Sequence, residues 1–315
     1  MATLSALLPP PRNSRAGPWY LVLACLVIVV AVVAWSAPLF LTPGNLSNVA
    51  AQVTPLVITA IGQTLVIITG GLDLSVGSLI SLTTAIIVLD LPGWAMVLLA
   101  IAAAVTVGTV NGVGIAFLNV HPIIMTLASM SVVQGVALIT RPVPGGTVPG
   151  WISGAVNGSL FGLPAALVWI AVAVVIAAFL IYRTRFGLHL FAIGGNPNSA
   201  LMNGVRVQRN IVLTYILSSL FAMGAGFYLA GRIASGDANV GTVFGLDSIT
   251  AVALGGTSLS GGVGSLVGTV LGSVLVGVIG NGMNLMNVSA FLQIVIKGAL
   301  LLAVVSVQRR KQIGL

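Results

Sequence analysis

PWYLVLACLVIVVAVVAWS, residues 18–36, is an unbroken apolar run of the length that crosses a lipid bilayer as one α-helix. It lacks the alternation of polar and apolar residues that a strand of a membrane barrel shows. Similar runs follow along the rest of the chain. Because backbone polar groups in lipid must be satisfied within the protein, these runs predict an all-α, polytopic bundle of transmembrane helices.

The composition supports the same fold class. Only 5% of the 315 residues are charged and 58% are hydrophobic, whereas a soluble domain has about a quarter of its residues charged. A net charge of +8 would suit nucleic acid, but most arginines stand between or beside the apolar runs, which is typical of orientation across a membrane. Cys25 is the single cysteine, so no disulfide framework and no metal site are expected.

Ten apolar segments are predicted as membrane spans, and eight is the alternative, because two short segments beside Gly-rich breaks could be half-helices. With both termini in the cytoplasm, nine of the twelve Lys and Arg residues lie inside, as the positive-inside rule requires. The predicted spans are 18–36, 47–69, 75–89, 93–117, 122–140, 164–182, 210–231, 247–256, 263–280 and 290–307.

This topology predicts one transmembrane domain, 18–307, between two cytoplasmic tails, 1–17 and 308–315. It also predicts one sizeable cytoplasmic loop, 183–209, which contains most of the polar stretch FAIGGNPNSALMNGVRVQRN (191–210).

That stretch predicts a short, capped helix between tight turns. Two glycines are expected to form a turn, an asparagine and a proline to start the helix, and a third glycine to end it. A plain connection needs no capped helix, so the pattern favours a docking element for a cytoplasmic partner over a simple re-entry turn. The residues expected in this contact are Gly194, Gly195, Asn196, Pro197, Ala200, Leu201, Met202 and Gly204.

Two Gly-rich breaks resemble each other: GGLDLSVGSL (70–79) and GGTSLSGGVGSL (255–266). The likeness indicates either an internal repeat or only a shared composition. Paired Gly-interrupted segments point to the translocation pathway of a transporter. In the first break, Asp73 is expected either to cap a half-helix that begins near Ser75 or to line and orient the pathway.

Uncharged polar residues inside the predicted spans are further candidates for contacts with a solute, although each suits a helix–helix hydrogen bond as well. With Asp73 and Ser75, the pathway candidates are Gln63, Asn111, Gln134, Asn281, Asn284 and Gln293.

Two ionisable residues lie in predicted spans. A lysine at the centre of a membrane helix costs about 2.5–3.5 kcal/mol unless it reaches an interface or pairs. Lys297 is therefore expected to face the bundle interior and to meet a carbonyl or an acid, with Asp247 as the first candidate.

The sequence carries no motif for catalysis. It contains no GxxxxGK[ST] phosphate loop and no HExxH pair. No plausible Ser–His–Asp set is present either. The chain is therefore expected not to be an enzyme but a pore-forming subunit that is powered by a partner.

Four stretches resemble one known family. AIGGNPNSALMNGVRV, GGLDLSVGS and LDSITAVALGGTSLSGGVGS are similar to the permease subunits of bacterial ATP-binding-cassette importers for monosaccharides, of the ribose, galactose and xylose type. NGMNLMNVSAFLQIVIKGALLLAVV resembles the C-terminal region of that family, so the resemblance runs from about residue 45 to 307. It implies a pair of permeases, identical or paralogous, in the bacterial inner membrane. Two cytoplasmic ATPase subunits, which bind the ATP, and a periplasmic sugar-binding protein complete the assembly, and no cofactor is expected on this chain.

The resemblance also implies roles for particular residues. Residues 195–204 match the coupling helix that sits in a cleft of the ATPase. The family often has an acid and an arginine after the proline, whereas Asn198 and Ser199 follow Pro197 here, so the charge pattern of that contact differs. On the outside face, Arg141 and Arg232 either meet carboxylates of the binding protein or are solvated loop residues.

Two alternative functions remain at this point. One is a permease of the same branch for a non-sugar solute, such as a nucleoside or a signalling molecule. The other is an ion-coupled secondary sugar transporter, which the scarcity of acidic residues disfavours.

Overall fold

The structure, a computed structural model, describes residues 19–160 and 162–307. The predicted tails 1–17 and 308–315 lie outside the described residues. The described residues contain one sheet, a hairpin of two strands with two residues each: β1 (Ser159–Leu160) and β2 (Leu163–Pro164). The helices are α1 (Trp19–Ser36), α2 (Pro43–Ile68), α3 (Val76–Ile87), α4 (Gly93–Ala116), α5 (Pro122–Thr140), α6 (Gly150–Asn157), α7 (Ala165–Arg183), α8 (Arg185–Gly195), α9 (Pro197–Met202), α10 (Val207–Ile233), α11 (Val243–Leu254), α12 (Leu266–Leu285) and α13 (Ala290–Val307).

The prediction of an α-helical membrane bundle is confirmed. Seven described helices, α1, α2, α4, α5, α7, α10 and α12, are long and apolar enough to cross a membrane, and α3, α11 and α13 are shorter apolar helices. Each of the ten predicted segments falls on one of these ten helices. The 12 residues of α3 and of α11 extend over only about 18 Å, against roughly 30 Å of hydrocarbon. Both therefore have the length of half-helices.

Two predicted loops contain helices that the sequence pattern did not reveal. The loop 183–209 contains α8 as well as the expected short helix α9, and the connection between α5 and α7 contains α6 and the hairpin. Both missed helices are short, with 11 and 8 residues, and each buries only a few apolar side chains. Such a short apolar face gives a weak periodic signal beside the long runs.

The centre of the bundle is α2, which is buried on all sides over most of its length. Two of its buried hydroxyls are satisfied within the helix: Thr59 and Thr64 donate to the carbonyl oxygens one turn earlier, at 2.7 and 2.8 Å. The long helix α10 packs against α2, α3 and α4. Glycines in α4 allow the closest of these approaches, since Gly108 and Gly112 lie directly against the backbone of α10.

One end of the bundle contains α6 and is called here the α6 end. Hydrogen bonds join helices and loops at this end. Asn45 in α2 and Asn281 in α12 exchange amide hydrogen bonds of 3.0 and 3.1 Å. The backbones of Gly145 and Gly236 exchange two more, each of 2.9 Å. The opposite end contains α8 and α9 and is called the α9 end.

One non-helical segment, 234–242, runs beside α3 from the α6 end into the bundle. The hydroxyl of Thr84 donates to the carbonyl of Asp237 (2.9 Å) and accepts from its backbone nitrogen (3.1 Å). The backbone nitrogen of Gly241 donates to the Ser81 hydroxyl (2.9 Å). Because α3 supplies these partners, the segment ends deep in the bundle, where α11 begins beside Gly77.

An ion pair joins α13 to α11. Lys297 Nζ lies 2.6 Å from Asp247 Oδ2, and the two side chains are 30% and 14% exposed. The contact that was expected from the sequence is present.

Loss of one partner of this pair should destabilise the bundle. Lys297→Met leaves the Asp247 carboxylate without its cation and should lower the free energy of unfolding by about 1–2 kcal/mol, between the values for exposed and buried pairs. The double variant Lys297→Met/Asp247→Leu should recover part of the loss, and Lys297→Arg, which keeps the pair, serves as the control. The measurement is the thermal unfolding of detergent-solubilised protein. Equal melting temperatures for Lys297→Met and the wild type would contradict the prediction.

Candidate functional site

A buried polar network surrounds Asp73 in the break between α2 and α3. Asp73 is fully buried. One carboxylate oxygen accepts hydrogen bonds from the backbone nitrogen (3.1 Å) and the hydroxyl (2.6 Å) of Ser75, and the other accepts one from the Ser218 hydroxyl in α10 (3.0 Å). These donors replace water around the carboxylate, which makes its burial possible.

The network extends to three further helices. Asn111 in α4 donates to the Ser75 hydroxyl (2.9 Å) and accepts from the hydroxyl of Ser129 in α5. With its amide oriented so that the nitrogen donates, Gln63 in α2 bonds both the carbonyl oxygen and the backbone nitrogen of Asp73, at 3.1 Å each. Four of the pathway candidates, Gln63, Asp73, Ser75 and Asn111, are thus brought together.

Two members of this network, Ser129 and Ser218, were missed by the sequence reasoning. Serines are frequent in membrane helices, so a single serine carries no signal until its neighbours are known. The carboxylate of Asp73 holds the backbone at the start of α3, which is the capping role that the sequence offered as one alternative. None of its surface is exposed in this conformation.

The other pathway candidates lie elsewhere. Asn281 pairs with Asn45 at the α6 end. Asn284 accepts a hydrogen bond of 2.8 Å from Gln293, across the turn between α12 and α13. Gln134 in α5 donates to the carbonyl of Ala238 (2.8 Å), in the segment 234–242. These contacts join helices to one another or to a loop.

The short helix α9 has the capped form that the sequence predicted. The Asn196 side chain accepts a hydrogen bond of 2.9 Å from the backbone nitrogen of Ser199, and Pro197 is the first helical residue. Gly204, with φ of +78°, follows the C-terminal end. Ala200 is buried, whereas Leu201 and Met202 are 55% and 90% exposed. The helix therefore presents two large apolar side chains outward.

The expected turn at Gly194 and Gly195 is wrong, because both residues belong to the C-terminal end of α8. Gly194 is needed for close packing instead. A Cβ atom there would overlap the carbonyl oxygen of Ile68 and the backbone nitrogen of Gly262, two atoms that are hydrogen-bonded to each other at 2.9 Å. A Cβ atom at Gly195 would meet open space.

The C-terminal end of α8 therefore packs against the hydrogen bond that joins Ile68, at the end of α2 before the first Gly-rich break, to Gly262 in the second break. A Cβ atom at Gly261 would crowd both Gly70 and Gly194. Gly70, Gly261 and Gly262 have φ angles of +84°, +79° and +78°, which other residues rarely adopt. We call this contact of Gly70, Gly194, Gly261 and Gly262 the glycine junction. It connects α8, and through it α9, to both breaks by backbone contacts.

The Asp73 network should contribute to stability. Asp73→Ala leaves the buried hydroxyls of Ser75 and Ser218 without their acceptor and should lower the free energy of unfolding by about 1–3 kcal/mol. Asp73→Asn keeps an acceptor for Ser75 and should lose less, which makes it the matched control. Thermal unfolding in detergent measures both variants. An Asp73→Ala variant as stable as the wild type would show that the network does not hold the break.

Because of the glycine junction, replacement by alanine should lower the stability at Gly194 but not at the neighbouring Gly195. Gly194→Ala forces the Ile68–Gly262 hydrogen bond apart and should cost about 1–3 kcal/mol of stability, as overpacking does. Gly195→Ala meets no atom, and alanine favours a helix, so its stability should match or exceed that of the wild type. Comparison of the two melting temperatures checks the prediction. Equal effects at both positions would refute the close packing at Gly194.

The comparisons with known proteins agree with these features. The family described as "Branched-chain amino acid transport system / permease component" matches residues 45–305. A ribose import permease of Escherichia coli (strain K12) is 37% identical over 303 residues, covering 92% of this chain and 93% of that protein. A ribose import permease of Bacillus subtilis (strain 168) is 39% identical over 305 residues, covering 94% and 93%.

A galactose/methyl galactoside import permease of Escherichia coli (strain K12) is 33% identical over 311 residues and covers 91% of this chain and 92% of its own length. The comparison with solved structures found no match. Because the family match spans most of the chain and the relatives align over nearly their full length, the chain belongs to the branched-chain amino acid transport system permease family, alongside bacterial ribose and galactose import permeases.

Proposed function

We propose that the chain is the pore-forming permease of an ATP-driven importer that moves a monosaccharide from a periplasmic binding protein into the cytoplasm. The observation that carries the proposal is the alignment, over more than nine-tenths of both chains, with proteins named as ribose and galactose import permeases. The outward-facing apolar residues of α9 support it, because a subunit that lacks its own phosphate loop needs a contact with an ATPase.

The proposed topology has ten membrane segments and places both termini in the cytoplasm of the bacterial cell, with the chain in the inner membrane. Four arginines flank α8 and α9, whereas Arg141 and Arg232 end α5 and α10 at the α6 end. This distribution supports the α9 end as the cytoplasmic end. The arginines beside α8 and α9 are Arg183, Arg185, Arg206 and Arg209.

The proposed role of α9 is that of the coupling helix. Burial of Leu201 and Met202 in a cleft of an ATPase subunit would supply on the order of 3–6 kcal/mol before the costs of association. Movement of α9 would reach the bundle through α8 and the glycine junction. Since that junction consists of backbone atoms of both breaks, a displacement of α8 would act on the start of α3 and on the connection between α11 and α12 together.

The proposed pathway passes the first break. Gln63, Asp73, Ser75 and Asn111 surround that break, and their burial describes a closed conformation. Opening of the pathway would separate these groups and expose them to water and solute.

The α6 end is the proposed docking face for the binding protein. Arg141 follows the last residue of α5 and Arg232 lies in the last turn of α10, and the Gly145–Gly236 backbone bridge joins the segments that follow these two helices. Arg232 also donates a hydrogen bond of 3.2 Å to the Asn48 side chain. Two cations at the ends of α5 and α10 suit carboxylates on the surface of a binding protein.

The proposed assembly contains a second permease, as an identical copy or a paralogue, two ATPase subunits and the binding protein. ATP would bind to the ATPase subunits, so this chain would perform no catalysis itself. A non-sugar solute is the second candidate substrate class, because the matching family is described by branched-chain amino acid transport.

Uptake in reconstituted vesicles tests the function. With the ATPase subunits and the binding protein present, labelled ribose or galactose should accumulate when ATP is supplied and should not respond to a proton gradient alone. The double variant Leu201→Asp/Met202→Asp should insert normally but lose its ATPase subunits, because charged side chains cannot fill an apolar cleft. The conservative pair Leu201→Met/Met202→Leu is the matched control. ATP-independent uptake would refute the proposal, and a double-Asp variant that still transports would refute the role of α9.

A further inference from the structure

A cavity of about 560 Å³ lies between α3, α5 and α11. Both half-helices begin at its wall: Gly77 and Ser78 lie in the first turn of α3, and Thr242 and Gly245 lie at the start of α11. The two starts touch, since a Cβ atom at Gly77 would crowd the backbones of Gly241 and Gly245. Two helix N-termini thus converge on one cavity, which opens to the surface of the bundle beside the exposed side chains of Leu127 and Leu246.

Both half-helices begin without a side-chain cap from the N-cap residue, as α4, α5, α6, α7 and α10 also do. The Asp73 carboxylate accepts a hydrogen bond from the backbone nitrogen of Ser75 just before α3, and the backbone nitrogen of Phe244 in α11 donates to the Gly241 carbonyl. Only the other N–H groups of each first turn remain for further acceptors. Uncapped N–H groups and the positive end of a helix dipole favour oxygen atoms of a ligand or of water. The starts of α3 and α11 therefore place polar N–H groups at the wall of the cavity, within a chain that is otherwise mostly apolar.

The opposite wall of the cavity also carries polar groups. Ser131 and Gln134 of α5 line it. The Gln134 nitrogen donates to the carbonyl of Ala238 and to the Asn239 side chain (2.8 and 3.2 Å), and its oxygen, buried in this conformation, has no hydrogen-bond partner within the described residues. The non-helical segment 234–242 passes beside this wall. Irregular backbone at membrane depth occurs where protein or a water-filled cavity surrounds it.

A second cavity provides a contrast. It has a volume of about 260 Å³, lies between α2, α7 and α10, and is lined by apolar side chains and Gly224. It contains no hydroxyl or amide side chain and no helix terminus. Its lining suits a lipid chain, whereas the hydroxyls, the amide and the helix N-termini of the larger cavity suit a solute that carries hydroxyl groups.

We propose that the larger cavity is a transient binding site for a neutral, polyhydroxylated solute within the translocation pathway. The Ser131 and Thr242 hydroxyls and the Gln134 amide would exchange hydrogen bonds with solute hydroxyls. Apolar neighbours, Leu127 and Met130, would face the C–H groups of the solute. The volume exceeds that of one monosaccharide, so the contacts are few, which allows release. The solute class rests on the proposed function, whereas the aqueous nature of the cavity does not.

Two glycines allow a matched filling experiment. A Cβ atom at Gly135, which lines the larger cavity, meets nothing within 4 Å, and one at Gly224 meets only Ile58 at 3.8 Å. Gly135→Leu should reduce the rate of ribose uptake by about tenfold or more because its side chain occupies the cavity, with normal insertion and normal ATPase binding. Gly224→Leu, which fills the apolar cavity, should stay within about twofold of the wild type. Equal uptake by both variants would overturn the proposal.

Cysteine accessibility gives a readout that does not depend on transport. In a Cys25→Ala background, Ser131→Cys should react with a water-soluble methanethiosulfonate reagent in membranes. Val132→Cys should react more slowly, because Val132 is exposed like Ser131 but does not line the cavity. Failure of Ser131→Cys to react would show that lipid or a second copy of the chain fills the cavity, and would overturn the proposal. If the wild type imports neither ribose nor galactose while Ser131→Cys reacts, the proposed function and the solute class fail, but the aqueous cavity stands.

Discussion

Backbone amides and carbonyls inside a membrane must find partners within the protein, and the breaks in this bundle depend on that constraint. Each non-helical segment is held by buried polar side chains. The carboxylate of Asp73 and the amide of Gln63 hold the first break, and hydroxyls on α3 hold the segment 234–242. Several of the buried polar side chains therefore bond to backbone groups where a helix stops.

The same constraint explains why the half-helices are shorter than a membrane crossing. Since α3 and α11 both begin within the bundle, their first N–H groups lie beside protein and cavity and not beside hydrocarbon. The long helices enclose them. In particular, α2 is buried over most of its length and packs against α10, α11 and α12, while α4 and α5 bond to the first break from another side.

Sequence reasoning predicted the helical class, all ten apolar segments, the cap and end of α9 and the contact between Lys297 and Asp247. These features depend on local signals or on the cost of one charge in lipid. It failed at Gly194 and Gly195, because a glycine that serves a turn and a glycine that serves close packing look the same in a sequence. It also missed Ser218 and Ser129, since their roles exist only after α10 and α5 have packed against the first break.

The glycine junction has a consequence for the construction of hybrid transporters. Residue 194 is far in sequence from residues 261 and 262, yet their main chains touch with no side chain between them. A graft that exchanged only α8 and α9 with those of a homologue would bring in a helix end shaped for a different break. Residues 255–265 would have to be transplanted with it. The segment that would contact the ATPase subunit and this part of the bundle interior can therefore be exchanged only together.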